Sequence, residues 1–226
     1  MNSRDVALVT AASLAGAVAS FITFSYFFNP RRNQHRLFDD SSVNNDAEQK
    51  RSPQHDPFDP SKRQSYLSWD DYFMAIAFLS AQRSKDPRRQ VGACLVNQND
   101  VILGIGYNGF PRGCSDDKLP WAKKSKRGDP LETKYPYVCH AEVNAILNTN
   151  HASATGQRLY VTMFPCNECA KLIIQSGVSE VIYFIDKGKS SDVPYVASRK
   201  LLSMAGIRVK RHQPKMKQIL IKFEEL

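Results

Sequence analysis

The sequence is poor in cysteine, in acidic residues and in glycosylation sites. Its five cysteines are odd in number and scattered, which excludes the fully paired disulfide framework of small secreted proteins. No Asn-x-Ser/Thr sequon occurs, and both absences favour a reducing compartment. Acidic residues number 22 against 31 basic ones. The resulting net charge of +9 suits a phosphate-bearing ligand or nucleic acid, but charge alone does not decide between them.

An uncharged, largely apolar run lies near the N-terminus, from Val6 to Phe28. A helix of this length would span the roughly 30 Å hydrocarbon core of a bilayer at about 1.5 Å per residue. Arg31 and Arg32 follow the run, and the positive-inside bias places the rest of the chain on the cytosolic side. We therefore expect residues 1–29 to be a membrane anchor. The alternative is a cleaved segment, which would leave the protein soluble or targeted to an organelle.

A polar stretch follows the hydrophobic run and covers residues 30–67. It has few aliphatic residues and no periodicity, and Pro53, Pro57 and Pro60 lie near its end. Such a stretch cannot bury enough apolar surface to offset the entropy lost on ordering. We predict a disordered linker there, followed by one globular domain over residues 68–226, which is long enough for a sizeable core.

The hydrophobic pattern of this domain alternates between helical and strand periods. Ser68 is the expected cap of a first helix that ends at Pro87. Its predicted apolar face consists of Trp69, Tyr72, Phe73, Ile76 and Leu79/Ser80. Further helices are predicted to begin at His140, Pro165 and Asp192, and strands are predicted over 91–96, 101–107, 158–163, 180–185, 207–210 and 218–223. This order predicts an α/β fold of three layers, with helices on both faces of a mixed central sheet.

The strongest functional pattern combines an H-A-E segment, which begins at His140, with a P-C-N-E-C segment that contains Cys166 and Cys169. One imidazole and two thiolates are ligands that Zn²⁺ prefers, and a catalytic zinc keeps its fourth position for water. Glu142 can reach that water without binding the metal. A structural zinc site or a thioredoxin-like pair would not explain all of these residues. The H-x-E…P-C-x-x-C signature is typical of zinc-dependent nucleobase deaminases, in which the glutamate is the general acid and base.

The predicted elements place these ligands at helix N-termini. His140 falls at the start of one helix, and Cys166 and Cys169 fall in the first turn of another. The partial positive charge at a helix N-terminus favours thiolates and hydroxide. Residues three apart also share one helical face, so both thiols can reach one ion.

The domain resembles the cytidine deaminase-like superfamily and, within it, the deoxycytidylate (dCMP) deaminase family. Segments 84–93, 104–117, 135–146 and 164–174 carry the resemblance, which covers essentially all of residues 68–226. Cytidine deaminases of free nucleosides typically have cysteine in place of the histidine ligand. The tRNA adenosine deaminases share the histidine but lack the G-Y-N-G-x-P-x-G-C-S-D-D block that begins here at Gly106. The resemblance implies zinc-dependent hydrolysis of dCMP to dUMP and ammonia, which supplies dUMP for thymidylate synthesis.

Candidate contacts to the substrate lie in three places. Asn108 is a candidate for a sugar hydroxyl, although an Asn-Gly pair can also be a simple turn. A phosphate needs cations or helix-end amides. Lys187 follows the predicted strand 180–185 and would lie at the carboxyl edge of the sheet, where such folds bind ligands. Ser84 and Lys85 are the other candidates.

The resemblance also implies control by end products. Family members are commonly homohexamers that dCTP activates and dTTP inhibits, with Mg²⁺ accompanying the triphosphate. This control is associated with residues 106–113, whose glycines could let backbone amides approach phosphates. The candidate contacts to the regulatory nucleotide are Gly106, Asn108, Gly109, Pro111 and Gly113.

Two other functions are less well supported by the sequence. A deaminase of tRNA or single-stranded DNA would need aromatic residues for base stacking. The basic cluster of Lys123, Lys124, Lys126 and Arg127 has only Trp121 nearby, so no nucleic acid is expected. A non-catalytic, membrane-tethered scaffold is the second alternative, and the intact metal motif argues against it.

Overall fold

Alternating strands and helices build a five-stranded sheet in this protein. The computed structural model describes residues 57–149, 152–186, 192–216, 218–221 and 223. The helices are α1 (Trp69–Ala81), α2 (Ala141–Leu147), α3 (Asn167–Gln175) and α4 (Val193–Met204), with a 3-10 turn at Pro130–Glu132. The strands are β1 (Gly92–Val96), β2 (Ile102–Tyr107), β3 (Arg158–Met163), β4 (Glu180–Ile185) and β5 (Arg208–Arg211).

The sheet is mixed, as the order of elements predicts. Its strands lie in the order β2-β1-β3-β4-β5. Strand β1 is antiparallel to β2 and to β3, whereas β3, β4 and β5 are parallel. The parallel strands are joined by the helical crossovers α3 and α4, which is the connection that parallel pairing requires.

Helices cover both faces of the sheet, and this confirms the three-layer prediction. Alternate residues of β1 point to opposite faces because the side-chain period of a strand is two. Cys94 and Val96 pack against α1 through Phe73. Ala93 and Leu95 lie in the core cluster on the other face. That second cluster contains Ala141, Ala145, Ala170, Ile173 and Leu202 from α2, α3 and α4.

The prediction for the first helix was right about its start, right in part about its buried face, which includes Phe73 and Ser80, and wrong about its end. Ser68 is the N-cap, as predicted, but the helix already ends at Ala81. Trp69 and Leu79, predicted to be buried, are 58% and 52% exposed. The predicted Phe73 is fully buried, together with Met74. The helix also approaches the strand closely at a small residue, since a Cβ on Gly92 would lie 1.9 Å from the carbonyl oxygen of Ala77.

Two further predicted boundaries need correction. Helix α3 begins at Asn167 with Cys166 as its N-cap, so that Pro165 precedes the helix rather than occupying its first turn. The strand predicted over 218–223 is also wrong, because residues 218–221 and 223 have no strand structure. The chain leaves the sheet after His212, whose ring hydrogen-bonds the Asp71 carboxylate at 2.9 Å. It then runs along the outer side of α1, where its apolar residues Met216, Ile219 and Ile221 line a groove with Phe78 and Leu79.

The predicted anchor at Val6–Phe28 and most of the predicted linker lie outside the described residues. No helix within the described ranges is both long enough and apolar enough to cross a membrane. The anchor and its orientation toward the cytosol therefore stay predictions.

Candidate metal centre

His140, Cys166 and Cys169 converge on one point. The His140 Nδ1 lies 3.2 Å from the Cys169 Sγ and 3.5 Å from the Cys166 Sγ, and all three ligand atoms lie within 4.8 Å of one another. Ligand atoms around a tetrahedral zinc, at about 2.0 Å for nitrogen and 2.3 Å for sulfur, are separated by about 3.5–3.8 Å. Both the spacing and the donor types therefore fit Zn²⁺.

Helix N-termini place the three ligands, as the sequence predicts. His140 is the N-cap of α2 and Cys166 is the N-cap of α3, and neither side chain makes a capping hydrogen bond. Cys169 lies in the first turn of α3 and is buried. Ligands at these positions stay free for a metal, and the positive ends of both helix dipoles favour the thiolate form.

The pKa values of the two thiols are shifted in opposite directions. A hydrogen bond from Cys169 lowers the pKa of the Cys166 thiol to about 4. The same bond, together with burial, raises the pKa of Cys169. A hydrogen bond to Cys166 raises the pKa of the His140 imidazole. Cys166 is thus the more acidic of the two thiols, and a zinc ion bound by both would displace any proton that the thiols and the imidazole carry.

Glu142 is the buried acid of the centre. Its side chain is 4% exposed and lies in the first turn of α2. Burial raises the pKa of the Glu142 carboxyl, and the imidazolium of His140 opposes that rise. Burial thus makes this carboxyl easier to protonate than an exposed one, which suits a group that accepts and returns a proton.

A cavity of about 350 Å³ opens beside these residues. His140, Glu142 and Cys166 lie in its wall, which also carries four cations and three aromatic rings. The cations are Arg88, Arg89, Lys123 and Lys134, and the rings are Tyr135, Phe164 and Tyr195. A concave site of this size, lined by both polar and apolar side chains, suits a small organic ligand. The cations suit an anionic one.

Asn108 lies in the cavity wall, and both the oxygen and the nitrogen of its side-chain amide form hydrogen bonds within the protein. Its Oδ1 accepts from the Val91 backbone N–H at 2.8 Å. Its Nδ2 donates to the Arg89 carbonyl at 3.0 Å and to the Asp86 carboxylate at 3.2 Å. An amide oxygen can accept a second hydrogen bond, so one acceptor position of Asn108 is left for a ligand hydroxyl.

Two of the predicted phosphate contacts, Ser84 and Lys85, make other contacts in the structure. The Ser84 hydroxyl donates to the Asn108 carbonyl at 2.7 Å, and Lys85 forms an ion pair with Asp116. Neither residue lines the cavity. Lys187 lies outside the described residues.

The sequence reasoning missed the cations that do line the cavity. Arg88 and Arg89 are adjacent and sit between α1 and β1. In the sequence, these two arginines are visible only as a basic pair that follows Pro87, within the segment 84–93 that resembles the family. Which way a short loop faces depends on tertiary packing, so the pair could not be assigned from sequence.

The glycines of the 106–113 segment have different physical roles. A Cβ on Gly106 would lie 2.3 Å from both the Ala141 carbonyl oxygen and the Ala145 nitrogen. Glycine at this position therefore lets α2 cross β2 at close range. Gly113 has φ of +83° and open space around it, which is the geometry of a turn that favours glycine. Gly109 and Pro111 lie in the same loop.

Comparison with known proteins gives a consistent result. The sequence model of a family described as cytidine and deoxycytidylate deaminase zinc-binding region matches residues 67–185. The chain is 57% identical to deoxycytidylate deaminase of Pongo abelii over 165 residues, which are 73% of this chain and 91% of the relative. It is 58% identical to a probable deoxycytidylate deaminase of Drosophila melanogaster, over 72% of this chain and 81% of the relative.

A solved structure is also similar. It is the dCMP deaminase of cyanophage S-TIM5 in complex with dCMP and dUMP. The TM-score is 0.50 at 30% sequence identity, and the match covers 62% of this chain and 94% of the phage protein. The similarity thus extends over nearly the whole of the phage enzyme.

Proposed function

Because the chain belongs to the cytidine and deoxycytidylate deaminase family, we propose that it hydrolyses the C4 amine of dCMP, giving dUMP and ammonia. Family membership makes the chain a deaminase, and hence a hydrolase. The observation that carries the choice of substrate is that one cavity is lined both by the metal centre with Glu142 and by Arg88 and Arg89. Such a cavity can hold a cytosine ring and a phosphate in one molecule.

The metal centre would supply the nucleophile. Zinc, when bound by His140, Cys166 and Cys169, lowers the pKa of water toward about 7 and so makes hydroxide available in neutral solution. The N-cap positions of His140 and Cys166 keep these side chains directed at the ion. Burial of Cys169 and Glu142 keeps bulk water away from one side of the centre, where electrostatic interactions are correspondingly stronger.

Glu142 carries the proton in this proposal. Its carboxylate accepts a proton from the attacking water and delivers it to N3 of the cytosine, and the oxygen adds to C4. The carboxylate then takes the second proton from the new C4 hydroxyl and passes it to the 4-amino group, so that the C4–N bond breaks, the C4 carbonyl forms and ammonia leaves. Each turnover consumes one water and returns Glu142 to its starting ionisation. The raised pKa of the Glu142 carboxyl supports both halves of this cycle.

The phosphate would bind to the exposed arginines of the cavity wall. Guanidinium groups bind phosphate oxygens through two parallel hydrogen bonds. Lys134 already pairs with Asp86, so Arg88, Arg89 and Lys123 are the cations better placed for this role. Lys187, Ser84 and Lys85 stay as the candidates from the sequence, and Asn108 keeps one acceptor for a sugar hydroxyl.

Regulation and assembly are a further part of the proposal. We propose activation by dCTP and inhibition by dTTP, each with Mg²⁺, at a site that includes Gly109 and Gly113, in a homohexamer. The support is the resemblance of the 106–117 block to the family pattern. A change in turnover of dCMP on addition of dCTP and Mg²⁺, measured beside the mass of the particle by light scattering, tests both.

A substrate panel tests the proposed specificity. Ammonia release from dCMP, deoxycytidine and CMP is measured with the purified protein and with the double variant Arg88→Ala/Arg89→Ala. We expect the variant to lose about tenfold or more in kcat/KM for dCMP, since each charged hydrogen bond contributes about 1.5–3 kcal/mol. Its kcat/KM for deoxycytidine should be unchanged.

The matched control is Lys210→Ala/Arg211→Ala, which removes two adjacent cations from the exposed strand β5. This variant should keep the dCMP activity of the unmodified protein. An equal loss on dCMP and deoxycytidine in the Arg88→Ala/Arg89→Ala protein would contradict the assignment of the phosphate to these arginines.

A further inference from the structure

A buried carboxylate lies in the cavity wall without being a metal ligand. Asp86 is 2% exposed and lines the cavity. Its partner Lys134 is 9% exposed and lines the same cavity. Burying a charged pair costs free energy unless the pair is well hydrogen-bonded. The contacts of Asp86 therefore indicate what the pair does for the site.

Both carboxylate oxygens of Asp86 are fully engaged. The Oδ1 accepts from the backbone N–H groups of Arg88 at 2.9 Å and Arg89 at 3.3 Å. The Oδ2 accepts from the Asn108 amide at 3.2 Å and from the Lys134 ammonium. These four hydrogen bonds use the acceptor positions of an ionised carboxylate.

The four donors come from three separate segments of the chain. Arg88 and Arg89 precede β1, Asn108 follows β2, and Lys134 lies in the loop that leads to His140. All four residues line the cavity. One side chain thus fixes the relative position of three segments that surround the candidate substrate site.

We infer that Asp86 is a positioning residue for the substrate, which holds Asn108, Lys134 and the Arg88–Arg89 backbone in the arrangement that binds the nucleotide. The inference rests on the proposed function. Asp86 makes no contact with the metal ligands among its hydrogen bonds, so it acts on binding rather than on the chemistry at the metal. Its removal should therefore raise KM and leave zinc bound.

The substitution Asp86→Asn keeps the shape and exchanges one acceptor for a donor. The new amide oxygen can still accept from the Arg88 and Arg89 backbone. The new amide nitrogen faces two other donors, the Asn108 amide and the Lys134 ammonium. Lys134 loses its ion pair, and Asn108 loses one of its two acceptors and keeps only its bonds to the Arg89 carbonyl and the Val91 N–H.

The test compares kcat and KM for dCMP in the full-length protein and in Asp86→Asn. We expect KM to rise about tenfold or more, because small displacements of binding groups have effects of this size, while kcat falls less than about threefold. Zinc content should stay at the level of the unmodified protein. The matched control is Asp100→Asn, which removes the carboxylate from a half-buried ion pair with Arg158 outside the cavity and should leave KM unchanged.

A second variant covers the case in which Asp86→Asn does not fold. Asp86→Asn/Lys134→Met removes both buried charges, so no ammonium is left unpaired, while the Asn108 amide still lacks the Asp86 carboxylate as its second acceptor. We expect this double variant to fold, to bind zinc and to keep a KM raised about tenfold. A return of KM to the unmodified value would overturn the inference, since Asp86 would then only neutralise Lys134. An unchanged KM in Asp86→Asn, or a loss confined to kcat, would overturn it as well.

The controls separate the two proposals. If the unmodified protein turns over dCMP and Asp86→Asn has the same KM, the positioning role of Asp86 is wrong and the proposed function stands. Absence of dCMP turnover in the zinc-loaded, unmodified protein would remove the proposed function, and the positioning role would fall with it.

Discussion

The imidazole Nδ1 of His140 lies 3.2 Å from the thiol of Cys169, although 29 positions separate the two residues in sequence. The contact exists because α2 and α3 lie on the same face of the sheet, where Ala141, Ala145 and Ala170 belong to one core cluster. Small residues let the two helices approach with their N-termini together. The metal centre is therefore a consequence of how the second helical layer packs.

Replacing Glu142 by glutamine tests the proton carrier. Glutamine keeps the size of the side chain but cannot take up a proton from water. We expect kcat for dCMP to fall by about 100- to 10,000-fold, with zinc content unchanged. The measurement pairs steady-state ammonia release with metal analysis of the same sample. The control is Glu168→Gln on the exposed side of α3, and retained activity in Glu142→Gln would exclude the proton-transfer role.

Zinc binding should release protons at neutral pH. The pKa of the Cys169 thiol is raised by its bond to Cys166 and by burial, so the metal-free centre carries a proton that zinc must displace. Because the ligands must be deprotonated, zinc affinity should rise with pH and fall as the solution becomes acidic. Calorimetry in buffers of different ionisation enthalpy measures the release, and we expect net proton release on zinc binding at pH 7.

Variants of single cysteines test whether the protons released on zinc binding come from this centre. Cys166→Ala should lose stoichiometric zinc, whereas Cys114→Ala, which changes an exposed cysteine, should bind it normally. Binding without any proton release at pH 7 would contradict the protonation state assigned to the two thiols.

Gly106 is expected to be a packing glycine. A Cβ there would lie 2.3 Å from backbone atoms of α2, so Gly106→Ala must push α2 away from β2. We expect a loss of about 1–3 kcal/mol in the free energy of unfolding. Gly109→Ala is the matched control, because its Cβ would meet only the Tyr107 ring at 3.8 Å. Urea denaturation measures both, and equal stabilities would show that α2 adjusts without cost.

The predicted anchor has its own test. Deleting residues 1–40 removes the uncharged run from Val6 to Phe28, and nothing of the described fold. We expect the full-length protein to sediment with membranes and the shortened protein to stay in the supernatant with full deaminase activity. The same distribution of both proteins would mean that the run is not a membrane anchor.

The ligand positions were predictable because they depend on local spacing. An H-x-E segment and a C-x-x-C segment each fix their residues within about one helical turn, and both segments were expected at helix starts, although Cys166 is the N-cap rather than a first-turn residue. The strands 158–163 and 180–185 were predicted with their observed bounds, since β-branched and aromatic runs have no competing helical period.

The features that the sequence did not predict depend on which side chains come together in the folded protein. The buried face of α1 was predicted only in part, because Phe73 is buried as expected, whereas the close contact with Gly92 buries the small Ala77 and leaves Trp69 exposed. The cavity cations Arg88 and Arg89 were missed for a similar reason. Their position is set by hydrogen bonds to Asp86, which a linear pattern does not contain.

The most direct test of the account is the stoichiometry of the reaction itself. The purified, zinc-loaded protein is incubated with dCMP, and dUMP and ammonia are quantified together by chromatography and a coupled assay. The account predicts equal amounts of both products, loss of turnover when a chelator removes zinc, and recovery when zinc is restored. Formation of neither product by the zinc-loaded protein would contradict the assignment of this cavity to hydrolysis of dCMP.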